Sequence, residues 1–174
     1  SRLTGREAQA YFPPLRQDLM AFHLSGGARV EARTIAASML QVAMSRGARI
    51  VRGHVRIRLV GSQAHALVNG EVIGADKIVV TAGAWSNDLL EHLGIVLPVE
   101  PQKGQIVHMQ IEGVATESWP VLLPQGNHYM LAFPGGRIVA GATRETGSGF
   151  DYRLTIGGQA EVMNFALALA PGLA

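Results

Sequence analysis

The decapeptide Lys77–Ser86, KIVVTAGAWS, is the stretch on which the reading of the fold turns. Ile78, Val79 and Val80 form a short unbroken apolar run, the pattern of a strand covered on both faces, so a buried strand is expected over Lys77–Ala82. Gly83 removes a side chain where the backbone must turn or come close to something. The small residues Ala82, Gly83 and Ala84 would let main-chain atoms approach a ligand. An ordinary buried strand with a tight exit accounts for the same ten residues.

The segments on either side set an α+β pattern. Thr4 and Glu7 are spaced as a capping box, which starts a short helix that Pro13 and Pro14 stop. Met20–Leu24 reads as a strand and Ala32–Arg46 as a helix, with Ile35, Met39, Val42 and Ala43 on one face. Val55, Ile57 and Leu59 alternate with Arg56 and Arg58 as in a strand, and Asn69-Gly70 marks a hairpin between 64–68 and 71–73. Ser86–Leu93 reads as a helix closed by Gly94. Strands follow at 104–111, 121–123, 128–133 and 137–142, and a last helix at 158–169. Consecutive strands with few helices predict a mostly antiparallel mixed sheet with flanking helices, in one domain of 174 residues.

Composition narrows the function classes. Apolar residues make up 48% and charged residues 16%, which excludes a disordered chain. The absence of cysteine excludes disulfides and thiolate chemistry, and fits a cytoplasmic setting. Arg49, Arg52, Arg56 and Arg58 lie close together without interleaved aromatics, so they read as a solvated face rather than a nucleic-acid surface. No apolar run approaches 18 residues, so no membrane span is expected. The six histidines form neither H-x-x-x-H nor H-E-x-x-H, and no G-x-S-x-G elbow occurs, which leaves zinc and hydrolase chemistry without support.

The segments have a telling order. LTGREAQAYFPPLR is followed by the helix around 32–46, then by TAGAWSNDLLEHLGIVLPVEPQKGQIVHM, by HYMLAFPGGRIVAGATRETGSGFDYRLT and by FALALAPGLA. This order resembles the FAD-dependent D-amino-acid oxidase superfamily, and is most similar to its glycine oxidase branch. The likeness runs from about Leu3 to the end. It is most specific where PxxGQ, YxxxxPGGR and GATRE follow one another.

The resemblance implies a substrate-binding portion that carries part of an FAD site, at about 30–60 and 76–94. The family places its G-x-G-x-x-G fingerprint upstream, and a carboxylate-binding arginine and a last flavin-binding stretch downstream. This chain would then be an internal piece that neither turns over nor retains FAD by itself. The parent would oxidise a small amino acid or amine to an imine, with homo-oligomerisation left open. Two other readings stand beside it. One is a dehydrogenase of the same superfamily that passes electrons to a carrier. The other is a non-catalytic α+β binding module, which predicts a sealed core where the oxidase reading predicts an exposed apolar edge.

By the same matching, Val55 takes the position whose main chain contacts adenine, or is a plain sheet residue. Thr81, Ala82 and Gly83 match the segment lining the ribose and pyrophosphate. Trp85 covers the adenosine end or fills core. Lys103, in the P-x-[RK]-G-Q element, places positive charge near the flavin or is simply solvated. Tyr129 matches the tyrosine facing the substrate carboxylate, although Ala132-Phe133 stands where the family often has Pro-Arg. Arg144, in GATRE, either adds a second carboxylate partner or pairs with Glu145 or Asp151.

Overall fold

The computed structural model describes all residues, Ser1–Ala174, and confirms an α+β chain whose strand pairs are all antiparallel. It groups into two compact units, Ser1–Val30 with Gln102–Ala174, and Glu31–Pro101, where length alone suggested one.

In the first unit, β1 (Arg2–Thr4) runs into α1 (Gly5–Gln9), and β2 (Met20–Phe22) returns antiparallel to β1. The predicted capping box is present: Glu7 N donates to Thr4 Oγ1, and Thr4 N donates to Glu7 Oε2. Three later strands, β6 (Ile106–Gln110), β7 (Tyr129–Phe133) and β8 (Arg137–Gly141), form a sheet in the order β6-β8-β7. The expected strand at 121–123 shrinks to one bridge between Leu122 and Met130.

Register decides what each face of this sheet does. Val107, Ala140 and Met130 lie side by side, as do Met109, Ile138 and Ala132. These rows point into the core, which also holds Ala8, Phe12, Leu15 and Trp119, together with Val162 and Ala166 of α4 (Ile156–Leu169). Phe12 and Trp119 meet at 4.6 Å between ring centroids. The intervening rows, Ile106–Gly141–Tyr129, His108–Val139–Leu131 and Gln110–Arg137–Phe133, lie on the opposite face.

The second unit holds α2 (Ala32–Ser45), the meander β3 (Val55–Val60), β4 (Gln63–Val68), β5 (Glu71–Ile73), and α3 (Ser86–Leu90). Asn69 and Gly70 make the predicted turn, with φ of 52° and 93°. The decisive stretch does not fold as expected. Residues 77–82 are not part of any sheet, and Val79 is 81% exposed. A strand exists only by pairing, and no strand of this chain lies beside these residues. Helix α2 forms where its periodicity put it but buries none of its residues; Met39 is 67% exposed. Ile35, Met39, Val42 and Val79 are thus exposed apolar side chains of this unit.

Core membership therefore divides similar side chains by consequence. Met130→Ala, at a fully buried site, should destabilise by about 2–5 kcal/mol. Met39→Ala should change stability by no more than about 0.5 kcal/mol. Denaturant unfolding of the two variants checks the contrast.

Candidate functional site

The open face of the β6-β8-β7 sheet presents Tyr129. Its backbone pairs with Gly141, whose other neighbour is Ile106. A Cβ at Gly141 would lie 3.0 Å from the Tyr129 hydroxyl oxygen and 2.6 Å from Ile106 Cγ2. Glycine is thus the residue that lets the phenol lie across the middle strand. The ring is half-buried and no protein group hydrogen-bonds the hydroxyl. A phenol held by its ring with a free hydroxyl can donate one hydrogen bond to a ligand oxygen.

Just beyond β8 the chain is pinned by polar contacts. Thr143 N donates to Gln105 O at 3.2 Å, and Glu145 N to Lys103 O at 2.9 Å. Gln105, 2% exposed, is the hub. Its Nε2 donates to Glu145 Oε1 at 2.5 Å and to Thr155 Oγ1 at 2.8 Å, and its Oε1 accepts from Thr155 N and Gln159 Nε2. Gly158 makes room for it, since a Cβ there would fall 2.3 Å from Gln105 Nε2. Thr143 Oγ1 donates to Glu145 Oε1, and Lys103 Nζ sits 3.0 Å from Glu145 Oε2. Hydrogen bonds from Gln105, Lys103 and Thr143, in that order, hold the Glu145 carboxyl below its ordinary range.

Two sequence expectations change here. Lys103 is not simply solvated: its side chain is 12% exposed, paired with Glu145, and donates to Arg153 O. Arg144 pairs with neither of its expected partners. Glu145 is engaged as described, and Asp151 is held by Arg153, with Nη2 to Oδ2 at 2.8 Å and Nε to Oδ1 at 2.9 Å. That fork keeps the Asp151 carboxyl far below the usual carboxylate range. Arg144 is exposed and makes no hydrogen bond or ion pair.

In the second unit, Thr81 and Ala82 lead into a single tight turn, Gly83–Trp85, that continues as α3. Gly83 has φ of +55° and open space where a Cβ would project. Trp85 is 50% exposed, so it does not fill a core here. Val55, at the start of β3, is exposed on the rim of a cleft of ≈ 390 Å³ lined also by His54, Arg56, Asp88, Leu89 and His92. His92 Nε2 lies 2.6 Å from Ile57 O, tying the turn after α3 to the meander. Sequence reasoning did not find this cleft, because residues more than 30 positions apart compose it. It also missed Gln105 as a hub and Phe133 as a ring flanked by Arg137 at 4.1 Å and Arg29 at 5.7 Å. The only hint of the hub was its place in PQKGQ. No group of three or more His, Asp or Glu side chains is arranged to hold a metal.

The FAD dependent oxidoreductase family (DAO) matches the chain over residues 1–174. The chain belongs to this family. The "Uncharacterized oxidoreductase YurR" of Bacillus subtilis (strain 168) is 43% identical over 176 residues, covering 100% of this chain and 47% of that protein. A glycine oxidase of Pseudomonas aeruginosa is 36% identical over 177 residues, covering 97% of this chain and 46% of its own length. The crystal structure of iminodiacetate oxidase from Chelativorans sp. BNC1 superposes with a TM-score of 0.96 at 55% identity, over 99% of this chain and 47% of that one. The chain thus spans about half the length of the relatives it matches. No helix is long and apolar enough to cross a membrane.

The polar hub carries a pH signature. A carboxyl whose folded pKa is depressed contributes stability above its ordinary value of 4.5, and that contribution is lost as pH falls through the lowered value. Wild-type chain should therefore melt above the Glu145→Gln variant at neutral pH. The difference should shrink once the pH drops below 4.5, as thermal melts of both proteins across pH 3–7 would show.

Proposed function

We propose that this chain is the substrate-binding portion of a glycine-oxidase-like, FAD-dependent enzyme that oxidises a small amino acid or amine at the carbon bearing nitrogen. The observation that carries the reading is Tyr129, a half-buried phenol on the open face of the sheet with an unclaimed hydroxyl, in a chain of this family. Tyr129 donates to the substrate carboxylate, and its ring gives the small substrate an apolar wall. Arg144 is the other substrate-contacting side chain.

The residues of the second unit fit the adenosine and pyrophosphate end of FAD. Gly83 leaves the space a Cβ would take, and the backbone of Thr81 and Ala82 is not tied into a sheet. Val55 offers main-chain groups to adenine, and the half-exposed Trp85 can cover it. Lys103 fits less well as a flavin-tuning charge, since Glu145 neutralises it; its role is to hold the loop after β8. When bound, FAD supplies the acceptor for the hydride that leaves the substrate α-carbon. What this chain adds is aim. Anchoring the carboxylate fixes the C–H bond in one orientation, and an amine with a free lone pair needs little further acid–base help. The imine product then hydrolyses to a keto acid and an amine or ammonia.

The test uses the full-length protein that contains this chain, purified with its flavin and offered glycine, sarcosine and iminodiacetate while oxygen and peroxide are followed. Stoichiometric peroxide supports an oxidase; flavin reduction without peroxide points to a dehydrogenase; no reduction by any amine removes the reading. Tyr129→Phe in that protein should lower kcat/KM by at least about tenfold, the worth of one hydrogen bond to a charged group, with its flavin content unchanged by visible absorbance.

A further inference from the structure

The two chains that meet beyond the end of the β6-β8 ladder do not keep its register. Inside the ladder Ile106 faces Gly141, and farther out Lys103 faces Glu145. Gly104 and Gln105 lie between these pairs on one side, and Ala142, Thr143 and Arg144 on the other. One extra residue therefore sits in the chain that leaves β8, the count that defines a β-bulge. We infer that Gln105 and Thr143 lock this register shift and are thereby positioning residues for the Tyr129 hydroxyl; this rests on the amine-oxidising reading above.

The shift decides which way the next side chains face. Side chains alternate along an extended chain, so without the extra residue Thr143 and Glu145 would share the face of Gly141 and Tyr129. They turn instead to the α4 side of the sheet. There Thr143 Oγ1 accepts from Gln105 N at 2.9 Å and donates to Glu145 Oε1, which also accepts from Gln105 Nε2. Gln105 Oε1 in turn accepts from Thr155 N at the start of α4 and from Gln159 Nε2 within it. The Glu145 carboxylate is thus kept off the face that carries the phenol. Gly104 lets the two chains come this close, since a Cβ there would fall 3.2 Å from Thr143 O. Gln105 and Thr143 are each 2% exposed, so water hardly competes for these bonds.

What the lock holds is the seat of the phenol. A Cβ at Gly141 would meet Ile106 Cγ2 at 2.6 Å and the Tyr129 hydroxyl oxygen at 3.0 Å, so the methyl and the hydroxyl converge over one residue. Ile106 follows Gln105 directly, and Gly141 stands two residues before Thr143. The bonds Gln105 N to Thr143 Oγ1 and Thr143 N to Gln105 O therefore close the chain pair immediately beyond the Ile106–Gly141 seat. Without them the last pair of the ladder is free to fray, and the height of the hydroxyl over the middle strand is no longer fixed. A misplacement of about 1 Å in a group that aims a substrate can cost about a hundredfold in rate. Gln105 and Thr143 lie on the other side of the sheet from the phenol and act only through it.

Thr143→Val removes the hydroxyl with little change of shape, and Thr143→Ser keeps it. Both belong in the full-length, flavin-loaded protein, each made with Tyr129 present and in the Tyr129→Phe background. The substrate is whichever of glycine, sarcosine and iminodiacetate reduces the flavin fastest. Thr143→Val should lower kcat/KM at least about fivefold when Tyr129 is present and less than about twofold in the Tyr129→Phe background, with Thr143→Ser close to wild type. A readout independent of turnover is the perturbation of the flavin spectrum by acetate, whose Kd should rise with the same dependence on Tyr129. If Thr143→Val does not fold, Glu145→Gln loosens the same lock more gently, and a loss of about threefold confined to the Tyr129 background is expected. Equal losses in both backgrounds, or no rescue by Thr143→Ser, mean a merely structural role and overturn the inference while leaving the oxidase reading intact. Indifference of turnover and acetate binding to Tyr129→Phe overturns it as well. Tyr129-dependent coupling in acetate binding, in a protein whose flavin no amine reduces, would instead sink the oxidase reading and leave the positioning role standing.

Discussion

The three-stranded sheet of β6, β8 and β7 packs one face against α4, Phe12 and Trp119, and the rest of the first unit follows from which face that is. Met130, Ala132, Ile138 and Ala140 point into the core with α4, Phe12 and Trp119. Each fully buried large side chain of this kind contributes on the order of 1.5–3 kcal/mol against the entropy of ordering. Because side chains alternate along a strand, burying those rows commits Tyr129, Leu131, Phe133 and Arg137 to the opposite face. A one-residue slip would put the phenol into the core and Met130 outside. The candidate substrate residue is thus held in place by hydrophobic packing it does not share.

Polar chemistry finishes what packing begins. The Gln105 amide is almost wholly out of water, and every hydrogen-bonding atom of its side chain is used. Buried amides are costly unless satisfied, so the network acts as one unit that joins the strand entering the sheet, the loop leaving it and the first turn of α4. Within it Lys103 and Glu145 cancel each other's charge, and nearby Asp151 is cancelled by Arg153. The net result is local: one uncompensated cation, Arg144, on a stiff loop.

The second unit has a different physical character. Its meander and its short helices are well formed, yet Ile35, Met39, Val42 and Val79 are largely in water. The hydrogen bonds of α2 and of the Asn69-Gly70 hairpin are made between residues near in sequence, whereas covering an apolar face requires a second surface.

Local chemistry was legible directly in the residues. The Thr4–Glu7 capping box, the Asn69-Gly70 turn, the period of α2 and the alternation of β3 each depend on atoms a few positions apart, and all appear where the pattern put them. The family was legible as well, because PxxGQ, YxxxxPGGR and GATRE keep their order. What pattern alone did not yield were matters of pairing between distant residues. KIVVTAGAWS has the composition of a buried strand, but a strand is a relation to a neighbour, and composition does not say whether the neighbour is there. Lys103, Glu145, Asp151 and Arg144 offer several ion pairs on paper; only the tertiary arrangement, by bringing residues 103, 105 and 155 against 143 and 145, decided which charges cancel and which one is left over.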